Sequence, residues 1–298
     1  MWGHAPTAVF GLAGVATLAV LVTGCGEVPA PTAPAPPMIS APVTPSPAAT
    51  GLEDRHQPLP GEHWQSGRTL ALPCAVAGDA SRATLLRAGP VDAEVEGFVR
   101  PMLRLRPGGR IDLADGILGV SGSEWITGTD HLDFPGELTY TRVPKGQPVV
   151  TIARVWDGAT NDSWAGDDLA AAEVRLSDAV PVRWEEHGWA GTDVAQGAWF
   201  GSASRARLEA TGYDPLFQPD DKGRSVVDVI AWWDVPCYTL DVAPREPGQV
   251  HDVVIVDTGG DGTYRQYIGY DEGGQPASAV LLGMVPWAAL QLPGTAPR

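Results

Sequence analysis

Val253-Val254-Ile255-Val256-Asp257-Thr258-Gly259-Gly260-Asp261-Gly262-Thr263-Tyr264-Arg265-Gln266-Tyr267-Ile268-Gly269-Tyr270-Asp271-Glu272-Gly273-Gly274 is the stretch that decides the fold class. Two runs rich in β-branched and aromatic residues flank one glycine-rich reversal, and a second reversal, 271–274, leads into the apolar run 279–285. Glycine takes positive φ without steric cost, so this spacing predicts three strands joined by two tight corners, a meander. Working outward, 138–144 alternates, Lys145-Gly146-Gln147 makes a turn, and 148–155 is a β-branched run; together they predict a hairpin. The segment 170–176 reads as a further strand, although its alanines leave a helical turn open, and 91–98 and 225–233 are the best short helices. Gly, Pro and Asp interrupt the apolar stretches throughout 61–298 at strand-and-turn spacing. The expected fold is therefore mainly β: a single strand-rich domain over 61–298, with sandwich-like or meander sheets and a few short helices.

The 298 residues are 44% hydrophobic, ample for a packed core. A formal charge of −16, from 36 acidic and 20 basic residues, opposes binding to a phosphate backbone or to anionic headgroups. Nucleic acid is not an expected partner.

Residues 8–22 form an uncharged apolar run of export-signal length, and it ends at Val22-Thr23-Gly24-Cys25. This resembles the bacterial lipobox, in which a cysteine is acylated and becomes the new N-terminus. The resemblance implies a signal peptide over 1–24, lipidation of Cys25, and export to the outer face of a bacterial cell membrane. The alternative is an uncleaved anchor, because 5–24 approaches the roughly 20 residues that span a bilayer. The next segment, 25–60, is dominated by Pro, Ala, Thr and Ser. It has too little apolar surface to fold, and its prolines bias it toward an extended, semi-rigid spacer. The expectation is a disordered stalk.

With Cys25 lipidated, Cys74 and Cys237 remain, an even number in an exported chain, and a disulfide between them is the economical expectation. The other reading is two unrelated buried thiols. The spacing of Cys and His suits no metal site.

Two blocks, 110–185 and 253–285, resemble a bacterial family of domains of unknown function. The landmarks are Gly109-Arg110-Ile111 with Asp115, Val143-Pro144-Lys145-Gly146 with Pro148-Val149, Ala171-Ala172, Arg183-Trp184-Glu185, Gly259-Gly260-Asp261-Gly262-Thr263-Tyr264, Gly269 and Asp271-Glu272-Gly273. Between the blocks, Gly201-Ser202-Ala203-Ser204 stands where the family has a Val-Asp-x-Gly pattern. The resemblance implies a strand-rich single domain and no reaction.

Asp257 to Gly262 has the carboxylates and glycines of a calcium loop, but the third position is Gly259 and the twelfth is Ile268, so two ligands of the EF-hand pattern are missing. The competing reading is a hairpin whose aspartates bond their own backbone. Asp130-His131-Leu132-Asp133, His251-Asp252 and Glu185-Glu186-His187 could supply metal ligands or a general base, and none has a second half visible in the sequence. No Gly-x-Ser-x-Gly elbow, phosphate-binding loop or dinucleotide fingerprint occurs. Trp156-Asp157 through Asn161-Asp162-Ser163-Trp164 could stack sugar rings, whereas core burial is the general expectation for Trp156, Trp164, Trp184, Trp189, Trp199, Trp232 and Trp233.

The sequence thus assigns no catalytic, cofactor or metal residue. It supports a cell-envelope lipoprotein, membrane-bound through Cys25, acting as a non-enzymatic surface module for an envelope protein or glycan. One alternative is a hydrolase of envelope polymers using Asp130, Asp133, Glu185 or Asp261, with two carboxylates roughly 5–9 Å apart across a cleft. The other is a structural or partner-neutralising protein with a flat apolar patch.

Overall fold

The computed structural model describes residues 64–66, 69–74, 84–123, 126, 138–157, 168–192, 195–210, 223, 237–242 and 250–297. The lipidation site, the stalk, Asp130, His131, Asp133, Asn161 to Trp164 and the predicted helix 225–233 lie outside them. In chain order the strands are β1 (Trp64–Ser66), β2 (Thr69–Pro73), β3 (Gly89–Pro90), β4 (Pro101–Ile111), β5 (Ile117–Gly122), β6 (Thr139–Arg142), β7 (Val149–Asp157), β8 (Asp168–Arg175), β9 (Arg183–Thr192), β10 (Gln196–Gly201), β11 (Cys237–Asp241), β12 (Val250–His251), β13 (Val253–Asp257), β14 (Gly262–Tyr270) and β15 (Pro276–Leu282). One α-helix, α1 (Ser202–Glu209), follows β10, and a 3-10 turn, Trp287–Leu290, follows β15.

The strands form two sheets, so the protein is mainly β and a sandwich. The first runs β1-β2-β11-β13-β10-β5-β6; the second runs β12-β4-β7-β8-β15-β14-β9, with β3 on β4. Among the described residues every pairing of named strands is antiparallel except β12 with β4. Inward side chains of both sheets make one core, including Ile111, Leu118, Val120, Ile152, Val174, Trp199, Val254 and Ile268. Each such side chain contributes about 1.5–3 kcal/mol on burial. Trp199 of β10 donates its indole N–H to Gln266 Oε1 of β14 at 2.9 Å, so the core's largest aromatic has its one polar atom satisfied across the layer.

Both outer faces are covered too. On the second sheet, Leu103, Val155, Trp184, Tyr267 and Val280 pack with Leu86, Val91 and Val95 of the segment before β4 and with Val285 and Leu290 of the C-terminal segment. On the first sheet, Phe200, Tyr238, Leu240 and Ile255 pack with Leu208 of α1 and with Ile126. A disulfide joins Cys74, just after β2, to Cys237 on β11, with Cα atoms 5.5 Å apart.

Strand positions follow the sequence reading more closely than strand partners do. The hairpin of 138–144 with 148–155 does not form. β6 pairs with β5 in the first sheet, whereas β7 pairs with β4 and β8 in the second. The corner between them is pinned to the turn before β5 through Val143 N to Gly116 O at 2.9 Å and Leu113 N to Gly146 O at 2.9 Å. A strand buried on both faces, as β7 is from Val150 to Val155, needs a neighbour on either edge, and a hairpin supplies only one. The meander is corrected in the same way. β13 lies between β11 and β10, and only β14 and β15 form the expected hairpin. The expected helix at 91–98 is absent; bends and a turn replace it and deliver Val91 and Val95 to the outer cluster. The segment 170–176 is strand β8, with no helical turn.

Candidate functional site

Among the described residues a dense polar grouping lies at one end of the sandwich, where β4, β10, β11 and β12 stop and β5 and β13 begin. His251 Nδ1 sits 2.7 Å from Asp241 Oδ2, and both side chains are buried. Asp241 Oδ1 also accepts the Asp252 backbone N–H at 2.8 Å. Asp252 accepts from the Val242 N–H at 3.0 Å, from Ser204 Oγ at 3.3 Å and from Arg207. Arg207 reaches Asp112 as well, at 3.3 Å. Burial alone would ease loss of the Arg207 proton, but the hydrogen bond and charge of Asp252, with Asp112, reverse this and hold its pKa up. Asp115 accepts from Ser202 Oγ and, at 2.9 Å, from the Ala203 N–H, and so closes the first turn of α1. Burial opposes its charge, and these bonds, with one from Ile117 N–H, more than offset that and lower its pKa.

An aspartate on Nδ1 fixes an imidazole's orientation and presents Nε2, which is how a general base is held. Here that edge of the ring faces backbone. A Cβ placed on Gly109 would lie 3.4 Å from His251 Cδ2 and 3.9 Å from Nε2. The nearby hydroxyls of Ser202 and Ser204 are spent on Asp115 and Asp252. Among the described residues no hydroxyl is bonded to Nε2, and Asp241 with His251 forms an oriented pair.

The glycine-rich loop after β13 forms a second grouping. Asp257 Oδ1 accepts the Gly259 N–H of its own loop at 2.8 Å, while Asp261 Oδ1 accepts the Ala195 N–H from the end of β9–β10 at 3.1 Å. These carboxylates serve the backbone, one locally and one across the connection. Gly259 has φ +80°, and a Cβ there would overlap the Asp168 carboxylate. Burial raises the Asp168 pKa; Arg154 opposes the rise and Asp257 adds to it. Among the described residues no group of three or more His, Cys, Asp or Glu could hold a metal ion.

The third grouping lies on β9. Tyr270 Oη is 2.7 Å from His187 Nε2, Glu185 is 3.9 Å from the same nitrogen, and the Arg183 guanidinium stands 4.3 Å from the Tyr270 ring centre. Glu186 pairs with Arg265 at 2.8 Å. Burial lowers the His187 pKa below its ordinary 6.5. The unfolded chain then binds more protons at this site, so stability is intact above about 6.5 and falls as pH drops through the lower folded value. NMR of the folded protein is expected to show His187 titrating below 6.5, and His187→Gln should flatten the loss of stability between pH 7 and 5. A His187 midpoint above 6.5 would reverse the sign of this effect.

No family model, curated protein or solved structure matches this chain. The reading of function therefore rests on these geometries. His251-Asp252 gains the partner that the sequence did not reveal, Asp241, which lies on the neighbouring strand element with an ordinary strand sequence around it. Glu185-Glu186-His187 gains Tyr270 and Arg265. Glu185 and Asp261 do not face each other: Ile268 pairs with Glu185 and Gly262 with Thr192, so the two acids lie at opposite ends of one ladder. Seven strand residues separate those rungs, about 23 Å. Trp199 and Trp184 are core residues, the latter donating to Pro293 O at 2.8 Å. One face of Trp156 is covered by the Arg104 guanidinium, 3.4 Å from the ring centre, so that face offers no platform for a sugar.

Proposed function

We propose that the chain is a non-enzymatic binding module on the outer face of a bacterial cell membrane, anchored by a lipid on Cys25 and carried on a proline-rich stalk. Its partner is an envelope protein or glycan. The observation that carries this reading is the closure of the polar groupings on themselves. Asp241, Asp252, Asp112 and Asp115 each bond a backbone N–H, an arginine or a serine of the same fold, and His251 turns its remaining nitrogen toward Gly109. Groups spent in this way hold a scaffold, and scaffolds present ligands on their loops and faces. The lipobox-like Val22-Thr23-Gly24-Cys25 and the stalk place such a scaffold at a distance from a membrane.

The test is metabolic labelling with a fatty-acid analogue in cells producing the wild type and Cys25→Ser, followed by incubation of the purified protein with isolated envelope. Cys25-dependent label and stoichiometric retention on envelope, with no release of soluble fragments, is the expected result. Unlabelled protein would overturn the anchor. Continuous fragment release that Asp241→Asn abolishes would overturn the binding-module reading in favour of a hydrolase.

A further inference from the structure

Core burial is the general expectation for a tryptophan on a strand, and Trp189 of β9 departs from it: the residue is only half-buried. Register gives its place. Ala190 belongs to the core between the sheets, so Trp189 and Gly191 face outward. They pair with Arg265 and Thr263 of β14, and two residues further along that strand Tyr267, opposite Glu186, belongs to the outer cluster. Directly opposite residues share a face, so all six lie on one outer surface. The cover over this sheet ends at Tyr267. Beyond it the Arg265 side chain is 61% exposed and that of Glu186 39%, and Thr263 is exposed as well.

The indole does not stand up from the sheet. A Cβ on Gly191 would lie 2.5 Å from Trp189 Cζ3 and 3.3 Å from Cε3, so the ring runs along the strand, with its benzo edge where a side chain at 191 would be. Arg265 flanks it on β14, and on the other side β9 is the last strand of its sheet among the described residues. A ring laid along a terminal strand keeps one side open to solvent. Next to it the Arg265 guanidinium and the Glu186 carboxylate meet at 2.8 Å. Past that pair a second half-buried indole, Trp287, packs with its ring centre 4.8 Å from that of Tyr267. The row therefore runs from an accessible indole through an accessible ion pair to another accessible indole.

We infer that this row is a glycan site, taking a chain of uncharged pyranose rings that stacks one ring on Trp189, sets hydroxyls against Glu186 and Arg265, and continues toward Trp287. A pyranose has a face of C–H groups that buries against an aromatic ring, whose negative π-face attracts them. Its hydroxyls both donate and accept, so they suit a guanidinium and a carboxylate side by side. Because those two charges neutralise each other, a charged ligand gains little here, and the net charge of −16 opposes an anionic one. A protein partner fits less well. Its interface would need a wide apolar centre, and the exposed large apolar residues among those described, Val99, Tyr140, Val180, Val182 and Met284, all lie off these rungs. The inference rests on the binding-module reading and names its ligand class.

The test is saturation-transfer NMR on the full-length protein with the β-1,4 trimers of N-acetylglucosamine and of glucose, the corresponding monomers, and sorbitol as an acyclic control. Saturable transfer to one or both trimers, weaker with the monomers and absent with sorbitol, is expected; the trimer preferred tells an amino sugar from a plain hexose. Trp189→Ala should weaken the affinity about tenfold or more with the melting temperature kept. Gly191→Ala retains the tryptophan but displaces its ring, and should weaken binding as well, an effect that a merely space-filling indole would not give. No saturable transfer to either trimer would overturn the site, as would sorbitol matching them or an affinity unchanged in both variants. Retention on isolated envelope that is lost when envelope proteins are digested, without trimer binding, would assign a protein partner and overturn the glycan site while leaving the binding module. Saturable trimer binding without envelope retention would do the reverse.

Discussion

Glu173→Ala is expected to destabilise the protein by about 3–5 kcal/mol, lowering the melting temperature by about 10 °C. Glu173, in the middle of β8, is fully buried on the outer side of the second sheet. Its carboxylate accepts from Ser278 Oγ of β15 at 2.6 Å, from the Leu85 N–H at 2.7 Å and from Thr84 Oγ1. It therefore holds the segment that carries Leu86, Val91 and Val95 onto the sheet. Removing it strands three donors and loosens a covering layer. Glu173→Gln separates the two contributions: volume and one acceptor survive, but a new amide donor is set against existing donors. About half of the alanine effect should remain. Calorimetry of both variants checks this, and a Gln variant as stable as wild type would show that filling space, not accepting hydrogen bonds, is what Glu173 does.

The second large effect concerns the disulfide. Cys74 and Cys237 are 163 residues apart, and in the chain-entropy picture closing such a loop in the unfolded ensemble is worth about 5 kcal/mol. The bond ties the end of β2 to the start of β11, beside a backbone bond from Cys74 N to Cys237 O at 3.1 Å, so the native strands already meet there. A Cys74→Ala/Cys237→Ala chain should therefore keep its fold and lose most of that stability. Urea unfolding of the wild type with and without reductant gives the comparison. Reduced wild type should match the double variant, and a wild-type midpoint indifferent to reductant would mean that the bond contributes nothing.

Strandedness was legible because alternation and turn residues report it directly. Partner choice was not, because Lys145-Gly146-Gln147 and the loop from Asp257 to Gly262 carry the residues that suit a hairpin and a sheet-to-sheet corner equally. The discriminating signal was burial demand. Val149 to Val155 has almost no polar face, which calls for a central strand, while Thr139 to Arg142 alternates as an edge should. Helices misled in both directions. Val91, Val95 and Phe98 have helical spacing yet lie in an irregular segment of bends and a turn, and α1 has no apolar stripe, burying only Ser204 and Leu208. At the candidate site, the pairing of Asp241 with His251 depends on register between neighbouring strands, and no local pattern announces register. Glu173 did leave a trace: a carboxylate set between Ala172 and Val174 in the apolar middle of a strand implies buried donors waiting for it.

The capping of α1 by Asp115 bears on the order in which structure is acquired. An eight-residue helix is not stable alone in water, Gly201 at its N-cap offers no side-chain bond, and the aspartate that substitutes lies 87 residues earlier in the chain. Asp115 reaches the helix only once β5 and β10 are paired, with Leu118 opposite Gly201. The helix is therefore a late event in folding, contingent on a long-range strand pairing and unable to nucleate it.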